Sequence, residues 1–153
     1  NVILRPHPLE IRPEASRYNQ KVYEICNSNK FIVSNDPFQN MSELYFIADK
    51  VFCDYGGSIF SALYLNKDIL LMNHKNVHMD DEINGSTAME VRNYLASINE
   101  EDAHNMKDII ENVLPSPQVA INLKKARIIF FGEKKSGNCS NLAASRLQAL
   151  YKA

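Results

Sequence analysis

A chain of 153 residues has the length of one domain, and hydrophobic residues at 45% with charged residues at 23% make it an ordinary globular composition able to bury a core. The net charge of −1 argues against a general nucleic-acid-binding surface, and no apolar run has the length of a membrane span or the pattern of a signal peptide. Three cysteines, Cys26, Cys53 and Cys139, lack metal-ligand spacing; the first two fall in apolar patterns, which predicts core thiols and a reducing compartment.

Val2, Ile3 and Leu4 read as a short strand entered almost at once, the start expected of a segment cut from a longer protein. Arg5-Pro6-His7-Pro8 ends it, two prolines holding the backbone extended around the histidine. His7 is either a surface histidine in a proline-rich turn or, with Arg5 beside it, a ligand-facing group. Pro13 suits a first helical turn, and Tyr18, Val22, Ile25 and Cys26 follow at helical spacing. Phe31-Ile32-Val33 is the second strand, ending at Ser34-Asn35-Asp36-Pro37. Asn40 with Glu43 forms a capping box for a helix carrying Met41, Leu44, Tyr45 and Ala48.

The stretch 50–73 organises the rest. Val51-Phe52-Cys53 reads as a buried strand, Asp54 stands at its end, and Tyr55-Gly56-Gly57-Ser58 turns into a helix with Ile59, Phe60, Ala62 and Leu63. Lys67-Asp68 then turns into a buried strand over 69–72. This is one βαβ unit, in which ligands bind beyond the carboxyl ends of the strands. Gly56 and Gly57 let backbone approach a ligand, and the unpaired amides at about Ser58 to Phe60 form a helix start that suits phosphate; a plain tight turn is the equal alternative, since no Walker or dinucleotide fingerprint is present. Asp54 could equally organise the turn by accepting backbone N–H bonds.

Residues 74–82, HKNVHMDDE, carry two histidines four apart and three acids, but without an apolar stripe they read as a solvated loop rather than a metal site. Gly85-Ser86-Thr87 closes it, 94–98 is a last strand, and Asn99 caps a helix from Glu100 with Ile109, Ile110 and Val113 inward. Pro115-Ser116-Pro117 ends that helix. A further helix covers 118–131 with Val119, Leu123, Ala126 and Phe130 inward. Residues 132–137 are a basic link, and Asn138 or Ser140 caps a final helix with Leu142, Ala143, Leu147 and Leu150. Strands alternating with helices predict an α/β fold, a central parallel sheet of about five strands.

With Arg5-Pro6-His7-Pro8 near its start, Ala48-Asp49, Asp54-Tyr55, Ser58, Ile59-Phe60, Lys67 and Ile69-Leu70 in order, and the tail FFGEKKSGNCSNLAASRLQAL, the chain resembles the CDP-glycerol glycerophosphotransferase family, bacterial teichoic-acid polymerases and related capsule enzymes. The resemblance spans about three quarters of the chain and implies one Rossmann-like three-layer half of a GT-B fold. Residues 1–153 would be a single nucleotide-donor-binding domain whose N-terminal partner half is missing. It departs from the family where Gly56-Gly57 replace a serine pair, Ser61 an aspartate and Asp68 a proline.

The implied chemistry is transfer of glycerol phosphate, or a similar group, from a CDP-activated donor to a cell-surface polymer hydroxyl, needing neither metal nor cofactor. His7 would be catalytic; Arg5, Asp54, Gly56, Gly57, Ser58 and Ile59 would bind donor phosphate; Ser34 and Asn35 would face the nucleotide. The partners would be the donor, the polymer acceptor and the missing half, with no nucleic acid. The chain would be cytoplasmic, its parent enzyme peripheral at the inner face of the membrane. A nucleotide-sugar-using GT-B or epimerase-like half shares the same strand ends and glycine turn. A phosphoacceptor receiver module would use Asp54, but its acidic pair after the first strand is absent here.

Overall fold

The computed structural model describes residues 1–36, 38–74 and 87–132 and five positions of the C-terminal stretch, 141, 144, 145, 148 and 149. It divides into two compact units, Asn1–Leu44 and Tyr45–Ala153. In the first, β1 (Ile3–Leu4) leads through α1 (Pro8–Ile11) and α2 (Gln20–Cys26) to β2 (Ile32–Val33), and the two strands pair in parallel, Ile3 against Ile32 and Leu4 against Val33. Both strands are short for a local reason. Pro6 and Pro8 deprive the segment after β1 of ladder donors, and the asparagine-aspartate segment after Ser34 stops β2. Pro13 lies in a turn; α2 begins only at Gln20 because the Asn19 side chain accepts from the Lys21 and Val22 amides, at 3.1 and 3.3 Å. Ile25, expected inward, is exposed, while Val22 and Cys26 are half-buried.

α3 (Met41–Ile47) runs across the boundary, and Asn40 caps it by accepting from the Ser42 amide at 3.0 Å; the return bond to the Glu43 side chain that a capping box needs is not among the hydrogen bonds of the described residues. The second unit follows as β3 (Lys50–Cys53), α4 (Ser58–Tyr64), β4 (Asp68–Asn73), α5 (Thr87–Glu90), a 3₁₀ turn (Val91–Tyr94) and β5 (Ala96–Asn99). β4 is central, parallel to β3 on one side and β5 on the other. Asp68, with an N–H that proline lacks, opens β4 opposite Lys50. The five strands among the described residues are therefore all paired in parallel, but as a two-stranded and a three-stranded sheet rather than one. This is an α/β arrangement with parallel sheets and several helices, consistent with a generic Rossmann-like fold.

The buried apolar core belongs to the second unit: Ile59, Ala62 and Leu63 of α4, Ile69, Leu70 and Leu71 of β4, then Val91, Leu95, Ile98, Leu114, Leu123 and Ala126. Two long cations finish helix ends. Lys67 Nζ donates to the carbonyls of Phe46 and Ala48 at 3.2 and 2.8 Å, and Arg127 Nε donates to Leu63 O at 2.8 Å. Tyr94, expected in the last strand, lies in the 3₁₀ turn before it. After β5, a 3₁₀ stretch (Glu100–Asn105), α6 (Met106–Asp108) and a π-helical turn (Ile109–Val113) replace the single expected helix. The π turn, closed by Leu114 N–H to Ile109 O at 2.9 Å, adds a residue to the repeat; Leu114 is 2% exposed and Val113, expected inward, 41%. α7 (Pro117–Phe131) buries Leu123 and Ala126 as its pattern predicts, with Phe130 half-buried in edge contact with Phe60 and Tyr94.

Among the described residues no helix is long and apolar enough to cross a membrane. Pro37, Cys139, residues 75–86, residues 133–137 of the expected link, and, of the expected final helix, the caps Asn138 or Ser140 and the inward Leu142, Ala143, Leu147 and Leu150 lie outside the described residues, while the five described positions there are helical.

Candidate functional site

Because the β3–β4–β5 pairings are parallel, the segments that leave the three strands at their carboxyl ends share one edge: Asp54 to Gly57 after β3, His74 after β4 and Glu100 after β5. Asn73 and Asn99 stand opposite each other in register, and Asn73 Nδ2 donates to Asn99 Oδ1 at 3.2 Å. Asn99, expected to cap the following helix, makes no capping bond, because this pairing takes its oxygen.

Gly56 has φ +106°, a conformation a side chain resists, and this reverses the chain out of β3. Gly57 is helical at φ −66°, and a Cβ placed there meets nothing within 4 Å, so the turn's backbone lies open. The Ile59 amide donates to Gly56 O at 3.4 Å and its side chain is fully buried. The amides of Gly57 and Ser58 have no acceptor among the described residues. Of the three amides expected to form a cradle, Gly57, Ser58 and Ile59, the first two stay open and the third is taken up by Gly56 O.

Sequence reasoning missed the residue that binds this edge together. Arg92, half-buried in the 3₁₀ turn before β5, donates through Nη1 to Asp54 O and through Nη2 to Asn73 Oδ1 and to Met72 O, the last at 3.2 Å. Its guanidinium carbon lies 4.2 Å from the centroid of the Tyr55 ring. One side chain therefore ties the end of β3 to the end of β4. No motif announces it, since an arginine after Glu90-Val91 reads as surface until the strand order is known. The Asp54 carbonyl, not its carboxylate, takes part in organising the turn.

The Asp54 carboxylate instead faces His74, Oδ2 to Nε2 at 4.0 Å, and Glu100 Oε2 lies 3.5 Å from His74 Nδ1 on the other side of the ring. Burial pushes the Cys53 thiol up to about 11, partly offset by the Ser58 hydroxyl beside it and by Arg92, so it is a protonated, inert thiol at neutral pH. Among the described residues no group of three histidine, cysteine, aspartate or glutamate side chains could hold a metal ion.

In the first unit, Arg5 Nη1 donates to Ser34 O and Ser34 Oγ at 3.0 Å each and to Asp36 O at 2.6 Å, tying the end of β1 to the segment after β2. Ser34 Oγ in turn donates to Gln39 Oε1, so Ser34 is committed within the unit, whereas Asn35 is exposed. His7 caps α1: its Nδ1 accepts from the Leu9 amide at 3.2 Å, with Pro8 as the first helical residue. The neutral ring consequently carries its proton on Nε2, free of that bond.

Comparison of the chain with protein-family models, with curated proteins and with solved structures finds no match.

The case for a site therefore rests on chemistry. Open turn amides, a guanidinium whose bonds all go to neutral oxygens, paired asparagines and an imidazole between two carboxylates meet at one sheet edge. Such an edge can hold an oxyanion and hydroxyl groups together.

Proposed function

We propose that the chain is the donor-binding domain of a CDP-glycerol glycerophosphotransferase-like enzyme, one Rossmann-like half of a GT-B fold. The observation that carries this reading is that the block resembling the family, from Ala48-Asp49 to Ile69-Leu70, coincides with β3, the glycine turn, α4 and β4. Its Asp54-Tyr55 and Ser58 thereby fall at the carboxyl edge of a parallel sheet, where α/β folds bind ligands. The family's lysine, Lys67, closes the carbonyls at the end of α3, a reason for that residue type at that position.

The reaction is attack of an acceptor hydroxyl on the β-phosphorus of CDP-glycerol. A new phosphorus–oxygen bond forms to the acceptor, the bond to CMP breaks, and the hydroxyl proton passes to a base on the other half. The Gly57 and Ser58 amides are proposed to hold diphosphate oxygens. Arg5 and His7, on the family's arginine-x-histidine-proline strand end in the first unit, take donor-binding and catalytic assignments from the resemblance alone. With Gly56-Gly57 in place of a serine pair, phosphate contacts come from backbone rather than hydroxyls.

Thermal unfolding of the chain with added nucleotides tests the reading. CDP and CDP-glycerol should raise the melting temperature more than cytidine does, by the equivalent of about 2.7 kcal/mol at a hundredfold excess over Kd. Gly57→Val should abolish the shift while leaving the unliganded melting temperature near that of the parent, since Gly57 has an ordinary φ and open space for a side chain. Stabilisation by UDP-sugars with none by CDP compounds would transfer the assignment to the nucleotide-sugar half, and no stabilisation by any nucleotide would end both.

A further inference from the structure

Three of the Arg92 guanidinium's N–H groups are used, all on neutral oxygens: the carbonyls of Asp54 and Met72 and the amide oxygen of Asn73. Among the described residues the Nε–H and the second Nη1–H have no acceptor, and no carboxylate is bonded to the charge. Three described acids of the same edge are directed elsewhere, Asp54 and Glu100 at His74 and Asp102 at Asn99 Nδ2, 3.4 Å away. The Tyr55 ring lies against the guanidinium, its centroid 4.2 Å from the guanidinium carbon. A half-buried, immobilised cation with spare coplanar donors, set between two strand ends, is built to take an oxyanion.

We propose that Arg92 is a ligand-binding residue that holds a phosphate oxygen of the bound molecule at the carboxyl edge of β3–β4–β5. The ligand class is a phosphate or diphosphate ester; its identity as CDP-glycerol rests on the function proposed above. Arg92 then has two tasks, closing the turn through its neutral acceptors and neutralising the ligand through its remaining donors. Lysine, a point charge without the fork, can perform only part of either.

The test uses the chain of residues 1–153 with inorganic pyrophosphate, CDP and UDP as probes. Pyrophosphate should shift the Arg92 Nε–H resonance in nitrogen-15 spectra of the unmutated chain. By calorimetry, Arg92→Met should weaken CDP and pyrophosphate binding at least tenfold, with Arg92→Lys intermediate. The resonance of the unmutated protein decides the matter even where Arg92→Met fails to fold. An Nε–H resonance unmoved at saturating pyrophosphate, or CDP bound equally by the parent and Arg92→Met, overturns the inference, and in the second case the donor assignment survives. Pyrophosphate engaging Arg92 while CDP binds no better than UDP supports the inference and removes the cytidine assignment.

Discussion

In the longer enzyme of which this chain is proposed to be the donor half, His7→Ala should lower kcat by roughly 10²–10³-fold, the range for loss of one group stabilising transition-state charge, with much less effect on donor affinity. The structure gives His7 a second task, as N-cap of α1, which alanine also removes at a cost of about 1 kcal/mol in stability. The two roles separate with His7→Asn. Asparagine is a strong N-cap and restores the bond to the Leu9 amide, but it supplies no group that titrates. Turnover should therefore stay low in His7→Asn while stability returns. Residues 1–153 alone should release no CMP, because acceptor and donor must be held in reactive contact by both halves. CMP release followed with a glycerol-phosphate polymer as acceptor reads both quantities. A His7→Asn enzyme with parental turnover would reduce His7 to its cap.

The largest expected loss of stability in the second unit is at Leu70. It lies in the middle of the central strand, 1% exposed, in register with Phe52 and Ala96, and clusters with Ile98 and Leu114. Leu70→Ala should cost about 2–5 kcal/mol, the transfer free energy of the lost methyls plus a cavity that a strand paired on both sides cannot collapse into. Val113→Ala, on the exposed side of the π turn, should cost far less, within about 0.5 kcal/mol. Urea unfolding of both variants checks this. Equal losses would mean that the chain continues through 109–113 as an ordinary α-helix, with Val113 inward.

The contrast between these positions shows what sequence periodicity can carry. Val51 to Cys53, the paired glycines and the Ile69 to Met72 run were legible as strand, turn and strand because each leaves a local mark. Of the two strands expected to be buried, however, only β4 is, while β3 is half-buried with Phe52 exposed. The cap at Asn40 was legible for the same reason, and the stripe of Leu123 and Ala126 on α7 as well. The phase of 109–113 was not, because one extra residue in a turn leaves no trace in composition. Arg92, Lys67 and Arg127 act on backbone carbonyls 38, 21 and 64 positions away, so their tasks exist only once the fold has brought those carbonyls near. Ile59 was placed in the site by counting helical amides; its side chain is buried and its amide bonds to Gly56 O, neither of which the count could show.

The central claim is that a nucleotide diphosphate binds at the carboxyl edge of β3–β4–β5. Titrating nitrogen-15-labelled chain with CDP-glycerol and following every backbone amide tests it most directly. The account predicts the largest shifts at Gly57 and Ser58, with Tyr55 and His74 moving on the same binding curve. Shifts confined to the polar depression on α2 lined by Asn19, Gln20, Lys21 and Glu24, or unchanged Gly57 and Ser58 amides at saturating donor, would contradict it.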